Sequence, residues 1–115
     1  MAVYVAWVQG TYFLLTGIWP LLSIRTFMLV TGPKTDIWLV KTVGLLVTVI
    51  GVILLLWASN GYVPNEGFWL AILSAAALTA IDVVYVAKRV ISPIYLVDAV
   101  AELLLITAWC VSRAY

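Results

Sequence analysis

The chain has 115 residues, 66% of them hydrophobic and 10% charged, with a mean hydropathy of +1.19 and a formal net charge of +1. A soluble domain of this size must wet its outer face, so the composition points to a polytopic membrane protein, and the length allows one bundle rather than two domains. The near-neutral charge speaks against nucleic acid as a partner, and the lack of histidine with a single cysteine, Cys110, argues against a Cys/His metal site, bis-histidine haem, a Ser-His triad or an internal disulfide.

A span needs about 20 apolar residues to cross the hydrocarbon. The N-terminus has no basic n-region, so residues 3 onward read as a retained first span, 3–24. Pro20 removes a helix hydrogen bond and predicts a bend near Gly17. The segment "RTFMLV" (25–30) either extends this span or lies along the interface. "TGPKTD" is a tight connector; it lacks the GxxxxGK[ST] spacing of a phosphate loop, and Lys34 in it is expected near lipid phosphates. Thr35 or Asp36 can cap the second span, 37–57. "SNGYVPNEG" separates it from the third, 67–87, and "KRVISP" leads into the fourth, 93–112, with Ser92-Pro93 at its start. No segment alternates polar and apolar residues as a barrel strand would. The expected fold is therefore all-α, a transmembrane four-helix bundle in a single domain, 1–115.

Arg25, Lys34, Lys41, Lys88 and Arg89 lie in or beside the first and third loops, and only Arg113 lies on the other side. The positive-inside rule makes those loops cytoplasmic and puts both termini outside, as expected of a multi-pass protein of a bacterial inner membrane. Trp7, Trp57, Trp69, Trp109 and Tyr115 then fall toward the outer interface, Trp38 and Tyr95 toward the inner one, as aromatic belts. Lys88 and Arg89 read as topology anchors. Cys110 and the two methionines read as packing residues.

"IWLVKTVGLL" (37–46) and "IYLVDAVAEL" (94–103) match at five of ten positions, at an offset of 57 residues. The same offset maps Arg25 onto Asp82 and Lys41 onto Asp98. This suggests two parallel-repeat helical hairpins about an axis along the membrane normal, with Lys41 and Asp98 at similar depth and able to pair.

The ionisable groups at membrane depth are the sharpest feature. Asp98 and Glu102 share a face of the fourth span, being one turn apart, and Lys41 and Asp82 sit in the same half of the bilayer. An unpaired charge at a helix centre costs about 3 kcal/mol on insertion scales. If Asp98 pairs with Lys41, Glu102 is left as the spare acid, a proton-exchanging or ligand-coordinating group framed by Asp98, Asp82 and Lys41. Arg25 could reach in as a second cation. Thr16, Thr48 and Thr79 are the further supporting candidates, on stripes that also carry Gln9, Pro20 and Ser23 on the first span, Gly44 and Gly51 on the second, and Ala71, Ser74 or Ala75 and Leu78 on the third. The competing reading makes the cluster structural glue between helices.

"WPLLSIRTFMLVTGPKTDIWLVKTVG" (19–44), about a quarter of the chain, resembles small bacterial inner-membrane proteins of no assigned activity, and "VTGPKTDIWLVKTVG" is its most specific part. The four-span layout is similar to that of the DoxX-like group. That second resemblance implies a quinone-like ligand or a membrane partner complex and transfers no catalytic residue. The expected function is a binding or accessory membrane protein holding an amphiphilic ligand or partner subunit against the Lys/Asp/Glu cluster, alone or as a homo-oligomer, with no cofactor. The alternative is a proton- or cation-coupled transporter or channel protomer using Glu102 and Asp98. An intramembrane acid/base enzyme is least favoured, because no nucleophile–base pair is present.

Overall fold

A backbone in hydrocarbon has no water to bond, so each apolar segment must satisfy its N–H and C=O groups internally, and helices result. The computed structural model describes residues 1–114; Tyr115, expected at one interface, lies outside the described residues. Four helices are long and apolar enough to cross a membrane: α1 (Ala2–Leu22), α3 (Ile37–Ser59), α4 (Asn65–Ala87) and α5 (Tyr95–Ala114). A short helix, α2 (Ile24–Thr31), joins the first two, and no strand occurs among the described residues. The protein is an all-α, multi-pass membrane protein.

The boundaries differ from the sequence expectation where a polar side chain intervenes. Ser23 ends α1, and its hydroxyl accepts the N–H of Thr26 at 3.4 Å, so "RTFMLV" becomes a separate helix instead of extending the span. The Trp19 indole N–H donates to the Thr26 hydroxyl at 3.0 Å and its ring meets Phe27 edge-on, folding α2 against the end of α1. Asp36 sits at the N-cap of α3 but makes no side-chain cap bond. Ser92-Pro93 forms the turn before α5, with the Ile94 N–H on the Ser92 hydroxyl at 3.3 Å, and the helix itself starts at Tyr95.

The helices pack as two hairpins, α1 along α3 and α4 along α5; contacts of α1 with α5 and of α3 with α4 close the ring. The first hairpin is held at backbone contact. A Cβ on Gly17 would lie 2.6 Å from the Gly44 carbonyl oxygen, and a Cβ on Gly44 would lie 2.6 Å from the Gly17 carbonyl oxygen. Without a hydrophobic drive between helices in lipid, such close approach supplies the van der Waals contact that joins them. Pro20 is buried in the same seam, its Cγ 2.9 Å from where a Gly44 Cβ would stand. The large side chains left outside, among them Leu15, Leu45, Leu46, Leu73 and Leu104, form the lipid-facing surface.

One end of the bundle carries the termini and the α3–α4 connection; the other, the basic end, carries α2 and the α4–α5 connection. Helices α3 and α4 stop alike, at opposite ends. After α3, Gly61 (φ 76°) turns the chain, with Gly61 N–H on Ala58 O and Tyr62 N–H on Trp57 O. After α4, Arg89 (φ 60°) does the same, with Arg89 N–H on Val86 O and Val90 N–H on Tyr85 O. The left-handed position normally falls to glycine, since a side chain there costs about 1–2 kcal/mol. Arg89→Gly should therefore raise stability by about 1 kcal/mol, and Gly61→Ala should lower it by a similar amount, both read as midpoints of denaturation in micelles. No gain from Arg89→Gly would mean that the arginine side chain offsets its own strain.

Candidate functional site

The terminal half of the bundle is built on an apolar core, with an open groove on its flank lined by Tyr4, Val5 and Val8 of α1 and Leu105 and Ala108 of α5. Val5, Ala6, Leu54, Ala58, Phe68, Ala71 and Trp109 form that core. Gln9, fully buried on α1, crosslinks the other hairpin: its amide N–H donates to the Ala71 carbonyl at 3.0 Å, and its carbonyl accepts the Trp109 indole N–H at 2.6 Å. Trp109 packs edge-on against Phe68, whose ring lies beneath the Arg113 guanidinium at 4.3 Å. Trp109 was expected in an interfacial belt; it is wholly buried, because Gln9 offers its N–H a partner that lipid cannot.

Toward the basic end the helices part around a cavity of about 590 Å³. Its walls are apolar: Val40, Val43 and Val47 from α3, Leu78 and Ile81 from α4. At the basic end it is lined by Phe27, Thr31, Lys34, Ile91, Ile94 and Tyr95. Its deep end holds Tyr12 and Thr16 from α1, Asp82 from α4, and Asp98 and Glu102 from α5.

The carboxyls converge on Asp98. It lies close to both Asp82 and Glu102, and it accepts the phenol O–H of Tyr12. Asp82 and Glu102 are buried, Glu102 completely. With all three acids counted as acceptors only, Asp82 Oδ2 and both Glu102 oxygens have no donor. A partner appears only when a carboxyl in the group carries a proton and donates it, or when an outside donor enters. No group of three or more His, Cys, Asp or Glu residues that could hold a metal ion is present among the described residues.

The cation of the site is Lys34. Its ammonium stands at the basic end, donating to the carbonyls of Thr31 and Gly32 at 3.3 Å each, 5.0 Å from the centre of the Tyr95 ring and 5.9 Å from that of Phe27. It satisfies the end of α2 and leaves the acids below it unpaired.

Of the sequence candidates, Asp82, Asp98, Glu102 and Thr16 come together here. Lys41 does not. The α3 stripe that carries Gly44 turns toward α1, not α5, and Lys41 is exposed at its end, away from the cavity; the partner of Asp98 is Tyr12. Arg25 is exposed on α2 and also stays outside. Thr48 and Thr79 spend their hydroxyls on carbonyls of their own helices, those of Gly44 and Ala75, and do not line the cavity. Two residues went unnoticed as site residues: Tyr12, although it lies on the Gln9–Thr16 stripe, and Lys34, read only as a lipid-phosphate contact.

Structure and composition thus define a small integral membrane protein with an acid-lined cavity in its basic half. Neither a family model, nor a curated protein, nor a solved structure matches the chain.

Gln9→Leu strands the Trp109 N–H inside the bundle and should cost about 1–3 kcal/mol, whereas Lys41→Ala should leave stability within about 0.5 kcal/mol. Thermal denaturation in one detergent compares the two. Equal losses would restore a structural role to Lys41.

Proposed function

We propose that the protein is a small membrane binding protein that holds an amphiphilic ligand in this cavity, head group against the carboxyls and tail along the valine and leucine walls. The observation that carries the reading is the pairing of an apolar-walled cavity with buried carboxyl oxygens that lack partners. Its volume suits a ligand of drug size, and apolar walls with a few convergent polar groups are the ordinary form of such sites. The excess of Lys and Arg at the basic end supports a bacterial inner-membrane orientation with a mouth toward the cytoplasm and both termini outside. The broad lipid-facing surface leaves room for a partner subunit or a second copy of the chain. A quinone-like occupant is the neutral variant of the same reading, with its carbonyl accepting a hydrogen bond from a protonated carboxyl of the acid group.

The alternative is a proton- or cation-coupled carrier. The unpartnered oxygens of Glu102 favour it, since a spare acid at this depth is the usual currency of proton exchange. The packed terminal half, from Gln9 to Trp109, weighs against an open channel.

Access tests the chamber. In a Cys110→Ser background, Thr16→Cys should react with a membrane-impermeant thiol reagent in inverted vesicles and stay unmodified in intact cells. Ala6→Cys, in the packed half, should resist from both sides. Modification of Thr16→Cys from both sides would replace the chamber with a path across the membrane, and modification from neither would remove the mouth.

A further inference from the structure

We infer that the ligand head group is an ammonium bearing N–H bonds, a primary or secondary amine on an apolar tail. This rests on the chamber being a binding site. Three observations narrow the chemistry. First, the deep end gathers three carboxyls and a phenol, while α3 contributes only Val40, Val43, Gly44, Val47 and Leu39 to the wall, so nothing basic faces the acids from that side. Second, Lys34 is the one Lys or Arg on the cavity wall, and two of its three N–H donors go to the Thr31 and Gly32 carbonyls at the basic end, none to the acids. Third, the unmet groups are acceptors: Asp82 Oδ2, Glu102 Oε1 and Glu102 Oε2, all buried and all on cavity-lining side chains.

Buried acceptors are satisfied by donors, and buried negative charge by positive charge. A protonated amine brings both. A quaternary ammonium brings charge without N–H, and an alcohol brings a donor without charge. A free anion or a carboxylate amphiphile would add a like charge beside Asp98. The Tyr12 hydroxyl, already committed to Asp98, holds that carboxyl toward α1 and leaves Asp82 and Glu102 to the incoming head. The tail then runs past Leu78, Ile81, Val43 and Val47 toward the mouth.

The test is equilibrium binding of three radiolabelled probes to the protein in nanodiscs, corrected with protein-free nanodiscs: octylamine, octyltrimethylammonium and octanol. A charge-assisted hydrogen bond to a buried carboxyl should make octylamine saturable and about tenfold tighter than either of the others. Glu102→Gln should remove about that tenfold for octylamine and leave octanol unchanged; Asp82→Asn serves if the first variant does not fold, and the wild-type comparison stands without either. Octanol binding as tightly as octylamine would overturn the ammonium assignment while keeping the chamber. Octyltrimethylammonium binding as tightly would show that charge alone is read and overturn the need for N–H. No saturable binding by any probe would remove the chamber reading, and the assignment with it.

Discussion

Burying carboxyl groups at membrane depth is the constraint around which the rest of the bundle is arranged. An isolated acid there costs several kcal/mol and is tolerated only if neighbours supply protons, donors or counter-charge. Asp98 has Tyr12 as its donor and two further carboxyls beside it, so three helices, α1, α4 and α5, are bound into one polar knot. That knot stays short of donors, and the cavity next to it is where further donors can come from.

The two halves of the bundle solve opposite problems. In the terminal half, polar groups are matched one for one: Gln9 bonds Ala71 and Trp109, Arg113 bonds Asn65 at 2.7 Å and lies over Phe68. Apolar side chains make up the rest of that core. In the basic half, α1 is held hard against α3 by the Gly17–Gly44 contact, and Gly17, Pro20 and Gly44 of this seam also line the cavity.

The fold was legible because span length and loop chemistry are strong local signals. The four spans, the two hairpins and the turn at Ser92-Pro93 follow from them. Ser23 broke the first span because a serine cap competes with helix continuation, a contest that hydropathy does not register. The acids of α5 and Asp82 were legible as a group, since spacing on a helix and depth in a span are both countable. Their partner was not. The repeat at a 57-residue offset suggested Lys41, but depth does not say which way a helix is turned, and the glycine stripe of α3 faces α1. Tyr12 went unseen because a tyrosine in a span reads as apolar surface until its hydroxyl meets an acid from another helix, 86 residues away. Trp109 was misplaced for the same reason: its partner, Gln9, is 100 residues distant.

A cavity confined to the basic half, with the apolar core of the terminal half beyond it, gives protons no polar path across the membrane. Proton flux under an imposed pH gradient, in liposomes holding the purified protein and no added ligand, tests this most directly. Liposomes as tight as protein-free ones are expected, for wild type and for Glu102→Gln alike. A sustained flux that Glu102→Gln abolishes would contradict this and would make the buried acids part of a route across the membrane.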